Sequence, residues 1–255
     1  MQEYKNAIEL VDITKRFGEV TANNKVSLSV RKGEILSLLG ENGSGKTTLM
    51  NMLSGIYFPD EGEIIVDGRE VMIKSPQDAY ELGIGMIHQH FKLVDVFTAA
   101  QNIILGIPGK AVINRKEVID DIKKLTDKYG FEIDLDRKIY EMSVSEKQTV
   151  EIVKMLYRGA NVLILDEPTA VLTPQETNRL FDVLRNMRND GKAVIIITHK
   201  LNEVLELSDR VSVLRKGEYA GTVETKDATE MSLTEMMVGE KVSLDIDRKE
   251  PENRK

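Results

Sequence analysis

The stretch that most restricts how this chain can fold is Gly40-Glu41-Asn42-Gly43-Ser44-Gly45-Lys46-Thr47. It follows the apolar run Ile35-Leu36-Ser37-Leu38-Leu39 and opens into Thr48-Leu49-Met50-Asn51-Met52-Leu53. Strand, glycine-rich loop and helix, spaced G-x-x-x-x-G-K-T, form a phosphate-binding loop. Glycines let the backbone turn tightly, so that successive N–H groups converge on one phosphate. The helix that follows adds its positive N-terminal end. A lysine at 46 reaches β- and γ-phosphates, and the Thr47 hydroxyl suits Mg²⁺. Gly40 through Thr48 are therefore the candidate nucleotide-binding residues. A glycine-rich turn that binds nothing would not need both flanking elements.

Val162-Leu163-Ile164-Leu165-Asp166-Glu167 is a continuous apolar run ending in two carboxylates. Such a run predicts a strand buried on both faces, as in a parallel sheet, where ligands sit at the C-terminal strand ends. Asp166 is the candidate Mg²⁺ ligand and Glu167 the candidate general base. In isolation the same residues would read as a strand ending in solvated acids. Ala193-Val194-Ile195-Ile196-Ile197-Thr198 predicts a second buried strand with His199 at its end, able to bond a γ-phosphate or the attacking water. Gln89 ends the apolar stretch before it, flanked by His88 and His90. Its uncharged amide suits transient contact with metal or water.

The order of phosphate loop, Gln89, the Ser143 segment, Asp166-Glu167-Pro168-Thr169 and Thr198-His199 resembles the ATP-binding subunit of an ATP-binding-cassette (ABC) transporter, from about Ile8 to Gly239. The resemblance implies an α/β fold: a P-loop NTPase (RecA-like) core with a small antiparallel β subdomain and an inserted α-helical subdomain. It implies a sandwich dimer that closes on ATP and hydrolyses it with Mg²⁺, held by Thr47, Gln89 and Asp166. Lys46, Gln89, Glu167 and His199 are the catalytic candidates. Phe17 matches the aromatic that stacks on adenine, a reading favoured over that of a core aromatic at a strand end.

The segment that is usually Leu-Ser-Gly-Gly-Gln in that family reads Met142-Ser143-Val144-Ser145-Glu146-Lys147-Gln148 here. The serine is kept and both glycines are gone, which obstructs the close approach to the opposite subunit's γ-phosphate. What remains has the pattern of a capping box, Ser143 with Glu146. His88-Gln89-His90-Phe91-Lys92-Leu93-Val94 and the Asp166 to Glu176 stretch are similar to importers of simple sugars and nucleosides. In those systems two cassettes lie in tandem, and the first keeps the good phosphate loop. The implied partners are transmembrane permease subunits, a second cassette and, indirectly, an extracytoplasmic substrate-binding protein. The implied location is cytoplasmic, at the inner face of the membrane.

At 255 residues the chain suits one cassette rather than a tandem pair. It is expected to comprise a nucleotide-binding domain over 1–239, with a helical subdomain at about 91–158, and a polar tail or linker over 240–255. Short β runs are expected at Ile8 to Asp12, Val26 to Val30 and Gly62 to Gly68. Helices are expected over Ala99 to Leu105, Arg115 to Tyr129, Val144 to Arg158 and Glu176 to Arg188, and a hairpin over Val211 to Val223. A formal charge of −7 argues against a nucleic-acid surface, and no apolar run is long enough to span a membrane. Two other readings stand beside the transport ATPase. A soluble ABC ATPase acting on nucleic acid or ribosomes would call for a coiled-coil or basic arm insert, and none is visible between Gln89 and Ser143. A module that binds ATP with little hydrolysis is favoured by the lost glycines.

Overall fold

The structure, a computed structural model, describes residues 5–89, 91–107 and 115–239. Expectations for His90 and for the 240–255 tail lie outside the described residues.

The continuous apolar runs form the centre of the molecule. β3 (Ile35–Leu39), β6 (Ile84–Ile87), β7 (Val162–Asp166), β8 (Ala193–Thr198) and β9 (Arg210–Arg215) run parallel, and β10 (Glu218–Glu224) closes the sheet as an antiparallel edge. The strand order is β10-β9-β3-β8-β7-β6. Successive residues of a strand face opposite sides, so each run divides between two cores. Leu36 and Leu38, Val162 and Ile164, Ile195 and Ile197 enter one core with α1 (Lys46–Leu53). Ile35, Leu163, Leu165, Val194 and Ile196 enter another with α5 (Val144–Tyr157) and α6 (Pro174–Asn189). A strand covered on both faces needs apolar side chains toward both, which these runs supply at most positions; the buried Ser37 of β3 is satisfied by the Ser208 hydroxyl.

The second sheet is antiparallel, with β1 (Asn6–Phe17), β2 (Val20–Arg31), β4 (Glu61–Val66) and β5 (Arg69–Val71) in the order β2-β1-β4-β5. Its apolar face, including Ile8, Leu10, Val26, Leu28 and Ile64, closes over the α1 core. β1 and β2 are longer than the alternation of side chains predicts. Register shifts between Leu10 and Ile13, with Asp12 at φ 50, break the period of two, while the backbone ladder continues to Phe17 and Val20. Polar residues follow the break, so pattern reading stops short.

Helices α3 (Ala99–Ile104), α4 (Arg115–Tyr129) and α5 fall within the interval expected to be helical. Ile103, Val118, Ile122, Val150 and Val153 form a core of their own there. Helix α6 begins two residues earlier than its apolar period indicates. Thr173 caps it, Pro174 occupies its first turn and Glu176 completes a capping box. Three short helices had no counterpart in the sequence reading: α2 (Pro76–Glu81), α7 (Leu201–Leu207) and α8 (Glu230–Val238). The last two cover β9 through Val204 and Leu233.

Gly62 faces the β1 bulge at φ 97, and a β-carbon there would lie 2.5 Å from the Val11 carbonyl oxygen and 2.6 Å from that of Asp12. Neither can retreat without breaking the ladder. Gly62→Ala is expected to lower the unfolding free energy by about 1–3 kcal/mol, read as a shift of the urea midpoint. An unchanged midpoint would mean that the bulge relaxes freely.

Candidate functional site

The loop between β3 and α1 is held from behind by two other elements. Gly45 has φ 94, and a β-carbon there would lie 2.4 Å from the Ala22 carbonyl oxygen and 2.6 Å from Asn23 Nδ2. Asn23, fully buried in β2, donates from Nδ2 to the Gly45 carbonyl at 3.2 Å. The turn between β9 and β10 closes the other side: Gly217 N–H donates to the Ser44 carbonyl at 3.2 Å, and Asn24 N–H to the Gly217 carbonyl at 2.8 Å. Sequence reasoning missed Asn23 and Gly217. A buried asparagine where β2 would otherwise take an apolar residue was the available signal.

Lys46, the first residue of α1, is buried and curls over the loop. Its Nζ donates to the carbonyls of Gly40 at 2.7 Å and Glu41 at 2.8 Å. Burial pushes its pKa down, against the opposing pull of Glu167, Asp166 and Glu41. Thr47 is exposed and Thr48 half-buried, while Glu41, Asn42 and Gly43 form the exposed rim of the loop.

Parallel pairing of β7 and β8 sets the acids and the histidine side by side. The Thr47 hydroxyl reaches Asp166 Oδ2 at 3.4 Å, joining the loop to the end of β7. Two hard oxygen donors in contact are a set that suits Mg²⁺. Glu167 takes the left-handed conformation at φ 47, while its N–H stays bonded to the Ile197 carbonyl at 2.9 Å. That twist turns its carboxylate toward His199, whose Nδ1 lies 3.1 Å from Glu167 Oε1. A second network, also missed in the sequence, ties together the loops that carry Glu167 and His199. Lys200 Nζ donates to the Thr169 carbonyl at 3.0 Å and to Glu203 at 2.9 Å, and the Thr169 hydroxyl donates to Glu203 at 2.5 Å.

Gln89 leaves the end of β6 and lines a cavity of about 50 Å³ with Asp166, Glu167 and Gln148. Gln148 Nε2 donates to the Pro168 carbonyl at 3.0 Å, so α5 touches the segment just after Glu167. The far end of the Gln89 loop is pinned to α5 as well. Lys92 N–H donates to Glu151 at 3.2 Å, and Lys154 Nζ donates to the Lys92 carbonyl at 3.3 Å. Ser143 is placed elsewhere. It caps α5 in the expected box, with Ser143 N–H on Glu146 at 2.7 Å and Glu146 N–H on the Ser143 hydroxyl at 3.3 Å. It lines a separate cleft of about 710 Å³ with Glu146, Glu176 and Asn186. Phe17 lies at the end of β1 with 43% of its surface exposed, so it is not a core aromatic.

Burial and the neighbouring Glu167 raise the Asp166 carboxyl above the usual aspartate range, with Thr47 and Lys46 only partly opposing them. A folded-state pKa above the unfolded one means that stability is lost as pH rises through it. In metal-free and nucleotide-free buffer, Asp166→Asn is therefore expected to raise the thermal midpoint at neutral pH. The gain should disappear in acid, where the wild-type carboxyl is already neutral. A lower midpoint at neutral pH would contradict this.

The family profile described as ABC transporter matches residues 23–170. Nucleoside import ATP-binding protein NupA of Lactococcus lactis subsp. cremoris is 50% identical, over 94% of this chain and 48% of that protein. Guanosine import ATP-binding protein NupO of Bacillus subtilis is 48% identical, over 95% of this chain and 48% of that protein. Ribose import ATP-binding protein RbsA 2 of Escherichia coli O157:H7 is 41% identical, over 92% and 47%. The chain spans about half the length of the curated relatives it matches. Among solved structures, the ADP conformation of an ATP-binding cassette of an ABC transporter is similar with a TM-score of 0.80 and 27% identity, over 93% of this chain and 100% of that chain. A dimeric bacterial ABC transporter cassette gives 0.74 and 25%, over 86% and 98%. The backed phosphate loop between β3 and α1, followed in order by Gln89, the Ser143 helix and the paired ends of β7 and β8, has its explanation here: this chain belongs to the ABC transporter family.

Proposed function

We propose that this chain binds MgATP and hydrolyses it to energise a membrane importer of simple sugars or nucleosides. The observation that carries the reading is the 3.1 Å contact between Glu167 and His199, beside the Thr47 and Asp166 pair. Amides of Gly40 through Thr48 take the phosphate oxygens, and Lys46 exchanges its bonds to the loop carbonyls for bonds to β- and γ-phosphate. Thr47, Asp166 and Gln89 are the residues that would hold Mg²⁺, which when bound would supply charge neutralisation at the phosphate oxygens. Glu167 accepts the proton of the attacking water, and His199 orients the carboxylate and contacts the γ-phosphate. Phe17 stacks on adenine.

The partners in this reading are supported by relatives named for nucleoside, guanosine and ribose import. They are transmembrane permease subunits, a second cassette in tandem and, through the permease, an extracytoplasmic substrate-binding protein; nucleic acid is not among them. The chain would then work in the cytoplasm at the inner face of the membrane. Val94 and Val96, just beyond Gln89, stand 37% and 65% exposed and offer the permease an apolar contact close to the site. The proposed domain is 1–239, with the helical subdomain at about 91–158 and a polar tail or inter-domain linker over 240–255.

Ser143 supports a division of labour between the cassettes. Its hydroxyl accepts the Glu146 N–H, and Val144, where the family has glycine, stands 45% exposed at the start of α5. A face so altered is a poor clamp for a partner's γ-phosphate, so the Lys46 and Glu167 site needs a glycine-bearing segment from the second cassette.

The test is steady-state ATPase activity against protein concentration, alongside direct ATP binding. The isolated chain is expected to bind ATP with little turnover at any concentration. Turnover should appear when a second cassette is supplied and fall about a hundredfold or more on Glu167→Gln. Turnover that rises with the concentration of this chain alone, and is lost in Glu167→Gln, would replace the tandem reading with a self-sufficient homodimer. Full activity of Glu167→Gln would remove Glu167 as the base.

A further inference from the structure

Phe17 does not stand alone at the end of β1. The Tyr57 ring lies against it with centroids 5.1 Å apart and planes at 71°. Edge-on pairs of this kind fix ring orientation and are favoured over sandwiches. Both rings stay well exposed, 43% for Phe17 and 37% for Tyr57, so the pair is ordered without being buried.

The surroundings hold the pair in place. Asp60, three residues after Tyr57, accepts Lys15 Nζ at 2.9 Å and the Arg16 N–H at 2.6 Å, and its own N–H donates to the Thr14 carbonyl at 2.9 Å. Arg16 reaches Glu61 at 2.7 Å. Lys15 Nζ in turn lies 5.5 Å from the centre of the Phe17 ring. The end of β1 is thus tied to the segment 57–61 through the three residues before Phe17 and through the Phe17 ring itself. That segment leaves the far end of α1, where Tyr57 N–H donates to the Asn51 carbonyl at 3.2 Å. Helix α1 starts at Lys46, so Tyr57 hangs from the element that holds phosphate and touches the ring at the end of β1.

We propose that Tyr57 is a positioning residue for the nucleotide base: it fixes the Phe17 ring so that one face stays open to a planar purine. This rests on the reading of Phe17 as the adenine-stacking residue. Tyr57 restricts the ring before binding, so less ordering is lost when the base stacks. The phosphates are held by the loop and α1 and do not depend on it.

The separation of base from phosphate supplies the test. Binding of MgATP and of inorganic tripolyphosphate is measured by calorimetry on the full chain and on three variants: Phe17→Ala, Tyr57→Ala and Tyr57→Phe. Phe17→Ala and Tyr57→Ala are each expected to weaken MgATP roughly 3- to 10-fold while leaving tripolyphosphate affinity as in the wild type. Tyr57→Phe should restore MgATP affinity, because the ring and not the hydroxyl makes the contact. If Tyr57→Ala weakens both ligands alike, Tyr57 merely supports α1 and the proposal fails. If Phe17→Ala weakens MgATP and Tyr57→Ala does not, the proposal fails while the base reading stands; Tyr57 then belongs to an exposed apolar patch with Ile56 and Phe58. If Phe17→Ala has no effect, the base reading falls and the proposal with it.

Discussion

Parallel hydrogen bonding of β3, β8 and β7 is the constraint on which the site depends. In a parallel sheet all strands end on the same side, so the residues just past each strand become neighbours regardless of their distance in sequence. Asp166 pairs with Ile197 and Leu39 with Thr198, which brings the phosphate loop, the two acids and His199 to one edge. The register is held by the alternation of side chains between two cores. A slip of one residue would exchange those cores and carry the ends out of line.

The same edge concentrates charge, part of it buried. Lys46 is driven down and Asp166 up by burial, and Glu167 adds repulsion to Asp166. These groups work against folding, and the strain of Glu167 at φ 47 adds to the cost. The surrounding structure offsets this by bracing each loop from outside. Asn23 and Gly217 support the phosphate loop, Lys200, Thr169 and Glu203 join the two strand-end loops, and Gln148 and Glu151 attach α5 to the segments around it. Each brace comes from a different element, so the site forms only when the two sheets and the helical part have packed together.

Ser143 shows how a local sequence signal sets where a helix starts. A helix start needs its first N–H groups capped, and the Ser143 and Glu146 box does this. Val144, the first residue after the cap, stands 45% exposed; under the proposed function its side chain would meet a partner's phosphate there.

Much of this was decided by local sequence. The buried strands were legible because a strand covered on both faces is apolar at most positions, and the phosphate loop was legible because lysine and glycine at that spacing have few other uses. The start of α5 followed from its capping box. Beyond the β1 bulge the pattern failed, since backbone pairing continued where alternation did not. Only the tertiary structure could bring His199 to Glu167, set Asn23 under Gly45 or place Tyr57 against Phe17. Those contacts join residues on separate elements. They are fixed by strand register and sheet packing, which no single stretch of sequence encodes.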